Sequence, residues 1–565
     1  MRAGLPKLVP LVPLVTVVLL TVPVLAGLVA TLGPAFGVGS APAGGAGPWR
    51  QLLDWPGLVP AMRLSLVTGV GSTLLALGLT LLIVAALQGS RAFRLVSRSL
   101  SPLLAVPHAA AALGLASLVA PSGWIARSLS PWLTGWQVPP DLLILQGPGG
   151  LALMAGLVVK EVPFLLLMVL AALAQVQAPA RALMAATLGY GRTVGWAKAV
   201  LPAIHAQIRL PVLAVLAYGM TSVDMAMILG PGLPPPLSVQ VVLWAHQADL
   251  GAGGIAAAAA TVQLGLVGLA IGALMLAERG VMVLGRRWVA AGGRGLWLDR
   301  PLALAAKLAA AGVAGSVALG VVAMALWSVA GLWPFPGPLP DALTLQVWQG
   351  QARDLVALGA TSVEVALWSV VPALVLTIAC LETEARRGLT GAGRLLWVLY
   401  LPLLVPQAVF LPGIQRLALA AGWPGNRPLV AAVHGLFVLP YVYLSLAGPW
   451  RAWDRRAGLA AAALGASPLR VLLWVRLPML LRPVMTAAAV GAAVSFGQYL
   501  PTLLVGGGRV STITTEAVAL ASGGNRRIAA AYGLVQMALP LAAFLLAHLV
   551  PRWLYRHRRG MAEAG

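Results

Sequence analysis

Residues 184–189 read Met-Ala-Ala-Thr-Leu-Gly and are followed by Leu-Pro at 201–202. Residues 461–465 read Ala-Ala-Ala-Leu-Gly and are followed by Leu-Pro at 477–478. Both landmarks recur at one offset of 276 residues, and each copy lies between long apolar runs. The sequence therefore predicts two related halves that carry the same short basic segment. The basic residues of the two copies are Arg181, Arg192 and Lys198, and Arg456, Arg470 and Arg476.

The composition is that of a membrane protein. The chain has 565 residues, of which 60% are hydrophobic and 9% are charged, and its mean hydropathy is +0.90. A soluble surface needs more charge than this. The net charge of +23 would indicate nucleic-acid binding in a soluble chain, but here it reflects Arg in loops between spans, so no nucleic-acid partner is expected. The single Cys380 excludes a disulfide framework and a thiolate metal site.

The apolar runs predict an all-α polytopic membrane protein with about twelve spans in two tandem, parallel six-helix modules. The first run is too long for a signal-peptide core and is interpreted as a retained span, with cleavage near Ala41 as the alternative. The predicted spans are 8–32, 62–88, 102–120, 150–176, 208–230, 255–278, 305–331, 356–382, 395–415, 428–448, 483–505 and 527–550.

The distribution of Lys and Arg predicts the orientation. About 28 of the 38 basic residues fall in loops on one side, which the positive-inside rule assigns to the cytoplasm together with both termini. We therefore expect a multi-pass protein of the cell (inner) membrane. The opposite loops are rich in Trp and Pro, as is typical of an external rim. They contain Trp124, Trp132, Trp136, Pro139 and Pro140, then Trp333, Pro334 and Pro336, then Trp423 and Pro424.

The predicted boundaries between the halves follow the Arg-rich, Gly-containing stretch in the middle of the chain. Residues 1–290 form a first six-span module, 291–303 a cytoplasmic connector and 304–565 a second six-span module. Six spans separate equivalent points, so both halves run in the same direction. This indicates a parallel duplication about an axis along the membrane normal.

Each repeated segment has the composition of two short helices around a sharp turn. The Ala-rich stretch favours helix, and Gly189 and Gly465 then end it, since Gly accepts positive φ. A second short helix is predicted over 193–200 and over 468–475, the latter marked by Ser467-Pro468 as N-cap and first turn. A helix–turn–helix unit at a membrane face can dock into a groove of a cytoplasmic partner.

The repeated segment resembles the EAA loop of binding-protein-dependent ABC importer permeases, of the form Glu-Ala-Ala-x-x-x-Gly with Pro thirteen residues after the Gly. The family's Glu is replaced by Leu183 and Leu459. Two such modules in one chain resemble the fused iron(III)- and thiamine-type permeases, and a type I importer architecture is implied. The implied ATPase-coupling residues are Ala185, Ala186, Leu188, Gly189, Leu201 and Pro202, and Ala461, Leu464, Gly465, Leu477 and Pro478.

The same resemblance implies the partners. Two copies of a cytoplasmic ABC ATPase would dock on the two loops, and an external or periplasmic binding protein would deliver a small solute. The chain itself has no P-loop, because none of its four lysines follows a Gly. ATP would therefore be bound by partner subunits, and no cofactor is expected here. No spacing typical of a metal site or catalytic residues is found, so an enzyme is not expected.

Ionisable residues within predicted spans are candidates for the substrate path. Lys160 and Glu161 lie in the fourth span and Asp224 in the fifth, while Gln498 and Tyr499 lie at the corresponding place of the eleventh. Polar contacts between helices are the competing interpretation for each. Glu278 and Glu364 are assigned structural roles. A twelve-span secondary active transporter is the alternative function, with Glu161, Asp224 and Glu364 as its coupling carboxylates, but it leaves the paired loops unexplained.

Overall fold

The structure, a computed structural model, describes residues 11–38, 47–247, 250–387 and 392–556. It is built from helices, and over these residues only one isolated β-bridge, between Ala330 and Leu343, is found. Ten helices are long and apolar enough to cross a membrane, and two further bent helix pairs would bring the number of spans to twelve. The predicted all-α polytopic membrane fold is confirmed. The predicted start of the first span at residue 8 lies outside the described residues.

The helices of the first half alternate long spans with short connecting helices. They are α1 (Val12–Leu32), α2 (Gly47–Asp54), α3 (Leu58–Leu87), α4 (Arg91–Ala105), α5 (His108–Val119), α6 (Trp124–Leu129), α7 (Leu151–Leu173), α8 (Ala178–Thr187), α9 (Arg192–Ala199), α10 (Leu201–Thr221), α11 (Asp224–Leu229), α12 (Leu237–Ala245) and α13 (Leu250–Ala290). A 3-10 turn, Gly33–Phe36, follows α1.

The second half repeats this order. Its helices are α14 (Asp299–Val329), α15 (Gln346–Arg387), α16 (Ala392–Leu404), α17 (Gln407–Ala420), α18 (Arg427–Ala452), α19 (Arg455–Ala463), α20 (Pro468–Arg470), α21 (Leu477–Met479), α22 (Leu481–Gly497), α23 (Leu500–Gly506), α24 (Ile513–Ser522) and α25 (Arg526–Leu554), with a π-helical turn over Val471–Arg476 and a 3-10 turn, Leu296–Leu298, before α14. Several helix starts recur at the 276-residue offset of the loops, namely those of α7 and α18, α9 and α20, α11 and α23, α12 and α24, and α13 and α25.

Proline moves the start of the third and ninth spans. These spans were predicted from 102 and from 395, but the helices are interrupted before His108 and Gln407, at the two Val-Pro pairs. Val106 is extended, with ψ of 120°, because a residue that precedes Pro avoids the α region. The second interruption bends the chain by 89° between Trp397–Leu404 and Gln407–Ala420.

The fifth and eleventh spans are also broken, contrary to the prediction of continuous helices over 208–230 and 483–505. Helix α10 ends at Thr221 and α11 begins at Asp224, while α22 ends at Gly497 and α23 begins at Leu500. Ser222 and Gln498, at the two breaks, both have extended backbone. The apolar run hid the breaks, because hydropathy does not report on backbone conformation.

The first helix of each half packs against the other half. Helix α1 crosses α17, and α14 crosses α5. Both crossings are made by pairs of glycines that allow the backbones to touch. A Cβ on Gly413 would lie 2.8 Å from the carbonyl carbon of Gly27, and a Cβ on Gly320 would lie 3.0 Å from that of Gly114. Each half is thus completed by a helix from its counterpart.

Candidate functional site

The first repeated loop forms two short helices around a glycine turn. Helix α8 ends at Thr187, and Gly189 follows with φ of +79°, the left-handed conformation that Gly adopts at a helix C-terminus. Helix α9 then spans Arg192–Ala199, close to the predicted 193–200. The next span begins at Leu201 with Pro202 in its first turn, where the missing amide hydrogen costs nothing. The predicted helix–turn–helix geometry is present.

The second loop has the same turn but a different second helix. Gly465 has φ of +85°, and the hydroxyl of Ser467 accepts a hydrogen bond from the backbone N of Arg470 at 3.4 Å. Only the first turn is α-helical, because Val471–Arg476 forms a π-helix. The prediction of one regular helix over 468–475 is therefore wrong in its detail. The chain then bends by 77° between Pro468–Met479 and Leu481–Gly497, so Pro478 precedes the long helix instead of starting it.

Apolar side chains at matching positions are exposed on both loops. Leu183 is 68% exposed and its counterpart Leu459 is 70% exposed, and Leu188 is matched by Leu464 at 61% and 90%. These four leucines, which we call the loop leucines, find no cover within the described part of the chain. Ala185 faces inward at 6% exposure. Among the other predicted coupling residues, three are exposed, namely Ala186, Pro202 and Gly465. The others are partly buried, namely Gly189, Leu201, Ala461, Leu477 and Pro478.

The first loop is anchored to the chain that joins the two halves. The carboxylate of Asp299 accepts hydrogen bonds from the backbone N of Arg192 at 2.8 Å and of Thr193 at 3.0 Å. The ammonium of Lys198 donates to the carbonyl of Gly293 at 3.0 Å and lies 4.7 Å from the centre of the Trp288 ring. These contacts attach the first loop to the start of α14 and to the segment before it. Asp299 was not predicted from the sequence.

The second loop is anchored by a buried ion pair instead. Arg476, expected as one of the scattered basic residues of the loop surface, is only 7% exposed. Its Nη1 lies 2.6 Å from Oε2 of Glu382, and Oε1 of Glu382 lies 2.6 Å from Nε of Arg386. The Arg476 guanidinium also lies 4.2 Å from the centre of the Trp450 ring. The residue equivalent to Arg476 in the first half is Val200, which is fully buried. An alignment of the two halves pairs Arg476 with this apolar residue, and that signal could have identified Arg476 as a buried charge.

Lys160 and Glu161 are both buried in α7 but have different surroundings. Nζ of Lys160 donates to the backbone carbonyls of Leu103 at 3.1 Å and Val106 at 2.5 Å, carbonyls that are available because α4 ends there. These are polar contacts between helices, and a role of Lys160 in the substrate path stays a prediction. The carboxylate of Glu161 faces His108, with 3.8 Å between Oε1 and Nε2.

Asp224 is the first residue of α11, just after the break in the fifth span. Its Oδ1 accepts hydrogen bonds from the hydroxyls of Ser222 at 3.0 Å and Tyr218 at 3.3 Å. The ring of Tyr218 lies 4.7 Å from that of His108, centre to centre. A contact across the halves is made by Tyr499, whose hydroxyl lies 3.2 Å from Sδ of Met227. The neighbouring Gln498 accepts at its backbone carbonyl from Thr502.

Glu278 and Glu364, the two carboxylates that were assigned structural roles, are both paired. Oε2 of Glu364 lies 2.6 Å from Nη1 of Arg427, and the two carboxylate oxygens of Glu278 lie 2.7 Å from Nε2 of His205 and 3.2 Å from Nε of Arg209. Over the residues that the structure describes, no group of three or more His, Cys, Asp or Glu could hold a metal ion. The polar cluster around Glu161 and Asp224 differs from these sites in that its carboxylates contact His108, Ser222 and Tyr218 and not an arginine.

Two comparisons with known proteins extend these observations. The chain is 32% identical over 522 residues to the "Inner membrane ABC transporter permease protein YnjC" of Escherichia coli (strain K12), which covers 91% of this chain and 92% of that protein. It is 25% identical over 216 residues to the "Putrescine transport system permease protein PotI" of the same strain, covering 36% of this chain and 77% of PotI. No protein-family model matches the chain.

Proposed function

This chain belongs to the family of ABC transporter permeases, and from that premise we propose that it is the membrane subunit of an importer. Two copies of a separate cytoplasmic ATPase dock on its two repeated loops, and an external binding protein delivers a small solute. The ATPases bind and hydrolyse ATP, and this chain provides the path. It is a multi-pass protein of the inner membrane, and both of its termini face the cytoplasm.

The loop leucines carry this proposal. The two halves expose apolar side chains at the same two positions of the same turn. Water contact with a large apolar side chain costs roughly 1.5–3 kcal/mol relative to its burial. Four such side chains, matched in pairs, support binding of two copies of one partner. The replacement of the family's Glu by Leu183 and Leu459 makes this contact apolar instead of ionic.

The anchors of the loops support transmission of motion. Closure of the ATPases would push on both loops, and the first loop would pass this motion to α14 through Asp299. The second would pass it to α15 through Glu382. Because α14 packs against the first half, displacement of a loop moves helices of both halves. Alternating access needs such discrete, rigid coupling elements.

The opposite face supports docking of a binding protein. Its loops expose Trp132 at 72% and Trp423 at 64%. Tryptophan is enriched at the centres of protein interfaces. PotI is named as part of a putrescine transport system, and that name supports a small solute as cargo here as well.

Cysteine cross-linking tests the docking of the ATPase. The chain has one cysteine, the buried Cys380, so a Cys380→Ala background leaves no native thiol. Leu183→Cys and Leu464→Cys, expressed with the full set of partners, should each cross-link to a P-loop ATPase that mass spectrometry identifies. The matched control is Leu339→Cys, a 60% exposed leucine of the rim, which should give none. If neither loop position reaches an ATPase, the proposal is wrong.

A transport assay separates the importer from a secondary transporter. In proteoliposomes that contain the complex and the binding protein, uptake should require ATP on the side of the membrane where the ATPase is bound. Uptake should continue when ion gradients are collapsed. Uptake that follows a proton or sodium gradient without ATP would instead support the alternative function.

A further inference from the structure

Within the described part of the chain, Glu161 is a buried carboxylate without a hydrogen bond. It is 5% exposed, and the imidazole of His108 lies opposite it, with 3.8 Å between Oε1 and Nε2. The ammonium of the adjacent Lys160 donates its hydrogen bonds to two backbone carbonyls and not to Glu161. An ionisable group in the membrane interior is costly to bury, and such groups mark substrate or ion pathways.

Asp224 belongs to the same cluster. Tyr218 connects the two carboxylates, because its hydroxyl donates to Asp224 and its ring contacts His108, which faces Glu161. Asp224 is 7% exposed and receives its two hydrogen bonds on one oxygen, Oδ1. The cluster therefore carries two carboxylates, and Lys160, the basic side chain beside it on α7, is already used elsewhere.

The second half contributes an aromatic side chain at this place. Tyr499 reaches Met227, three residues beyond Asp224, with 3.2 Å between its hydroxyl and Sδ of the methionine. The residues equivalent to Glu161 and Asp224 at the 276-residue offset are Phe437 and Leu500. Both carboxylates of the cluster thus belong to the first half.

We propose that this cluster, formed by Glu161, Asp224, His108 and Tyr218 of the first half with Tyr499 of the second, recognises a small organic cation in transit. A protonated amine or quaternary ammonium would be held by the two carboxylates and by the faces of the tyrosines. The inference rests on the proposed function, since it names the substrate class of that path.

Charge and ligand chemistry favour this class. Two buried carboxylates repel an anion and gain nothing from a neutral solute, whereas a cation offsets their desolvation. Tyrosine rings attract ammonium groups through their quadrupoles. A metal ion would need more oxygen or nitrogen ligands than the described residues bring together here. Because the two halves differ at these positions, the site holds its ligand in one orientation.

Thermal unfolding of the purified chain in nanodiscs tests the site without any partner. Choline is compared with its uncharged isostere 3,3-dimethylbutan-1-ol, and n-butylamine with n-butanol, each at equal concentration. At least one cation should raise Tm by about 2 °C or more at saturation, and the alcohols should not. Glu161→Gln and Asp224→Asn should each abolish the shift. Glu364→Gln, which removes an ion pair to Arg427 in another part of the membrane domain, should retain it.

The outcomes separate this inference from the proposed function. Equal effects of cations and alcohols, or a full shift in Glu161→Gln and Asp224→Asn, would refute the cation site even if both loops cross-link to an ATPase. A cation-specific shift that both variants lose would support it, whether or not the ATPase is found. Glu161→Gln is expected to fold, because it keeps the shape of the side chain and breaks no hydrogen bond within the described part of the chain.

Discussion

The carboxylate of Asp299, at the start of the second half, caps the helix that begins at Arg192 in the first loop. The hydrogen bond joins Oδ2 and the backbone N of Arg192 over 2.8 Å, and Oδ1 accepts from the next amide. A helix N-terminus leaves such amides without partners, and a carboxylate there also interacts favourably with the helix dipole. The cap thus joins two elements that are 107 residues apart.

Loss of this cap should loosen the first loop alone. Asp299→Ala removes both acceptors and should cost about 1 kcal/mol locally. We expect backbone amides 192–195 to exchange with deuterium about five times faster, and ATP-driven uptake to fall. Asp299→Asn keeps a capping oxygen and should stay near the wild type. Asp454→Ala, which removes the local cap on Arg456, should affect only α19. Unchanged exchange in Asp299→Ala would contradict this coupling.

The buried pair Arg476–Glu382 should be worth more than an exposed one. Arg476→Ala leaves Glu382, 12% exposed, with Arg386 as its remaining partner, and should lower the free energy of unfolding by about 3 kcal/mol. Arg427→Ala removes a pair whose members are 51% and 31% exposed and should cost below about 1 kcal/mol. The double variant Arg476→Met with Glu382→Gln should recover much of the loss. The free energies of unfolding are measured in detergent. An equal loss for Arg476→Ala and Arg427→Ala would show that burial does not determine how much an ion pair contributes to stability.

Two neighbouring glycines of α3 should respond differently to alanine. A Cβ at Gly69 would lie 2.7 Å from the backbone N of Met220, while one at Gly71 would meet only the flexible end of Met154, at 2.9 Å from Cε. Gly69→Ala must push α3 and α10 apart and should lower Tm and the yield of folded protein. Gly71→Ala should be close to neutral, because the Met154 side chain can move. Similar Tm values for both variants would count against the tight crossing.

The crossing of α1 and α17 gives a fourth prediction. The backbone N of Gly413 donates to the hydroxyl of Thr31 at 2.7 Å, and a Cβ there would collide with the backbone of Gly27. Gly413→Ala should therefore detach α1 and increase deuterium exchange over Val12–Leu32. Gly435, with nothing within 4 Å of a built Cβ, provides the control, and Gly435→Ala should leave exchange unchanged. Protection of α1 in Gly413→Ala would mean that the helix is held elsewhere.

The parts of the fold that depend on hydrophobic length and local turn chemistry could be predicted from the sequence. The spans follow from apolar runs, and the two loop turns follow from Gly189 and Gly465, whose positive φ the structure bears out. The breaks before Asp224 and Leu500 were not predicted, because the hydropathy of a long window averages over the few polar residues there, among them Ser222 and Gln498. The position of Arg476 was misjudged because its buried partner Glu382 is 94 residues away.

The candidate site was predictable in its residue types but not in its arrangement. Glu161 and Asp224 attracted attention as charges in apolar runs. Their neighbours His108 and Tyr218 were not predicted as members of one cluster. The Val-Pro-His sequence at the start of the third span was visible, but only tertiary packing brings His108 to Glu161 and to Tyr218.

Because the first helix of each half packs against the other half, neither half is completely packed without the other. Suppose that the chain is divided between Gly293 and Gly295 and the two polypeptides are made separately. Each would then expose a helix-packing surface to lipid, around Gly27 in one and around Gly320 in the other, until the two polypeptides associate. Such fragments should be degraded when expressed singly and should accumulate when expressed together. Joining both halves in one polypeptide fixes their ratio at one to one. It also lets the two halves differ in sequence, as they do at Glu161 and Phe437, without the risk that two identical copies assemble.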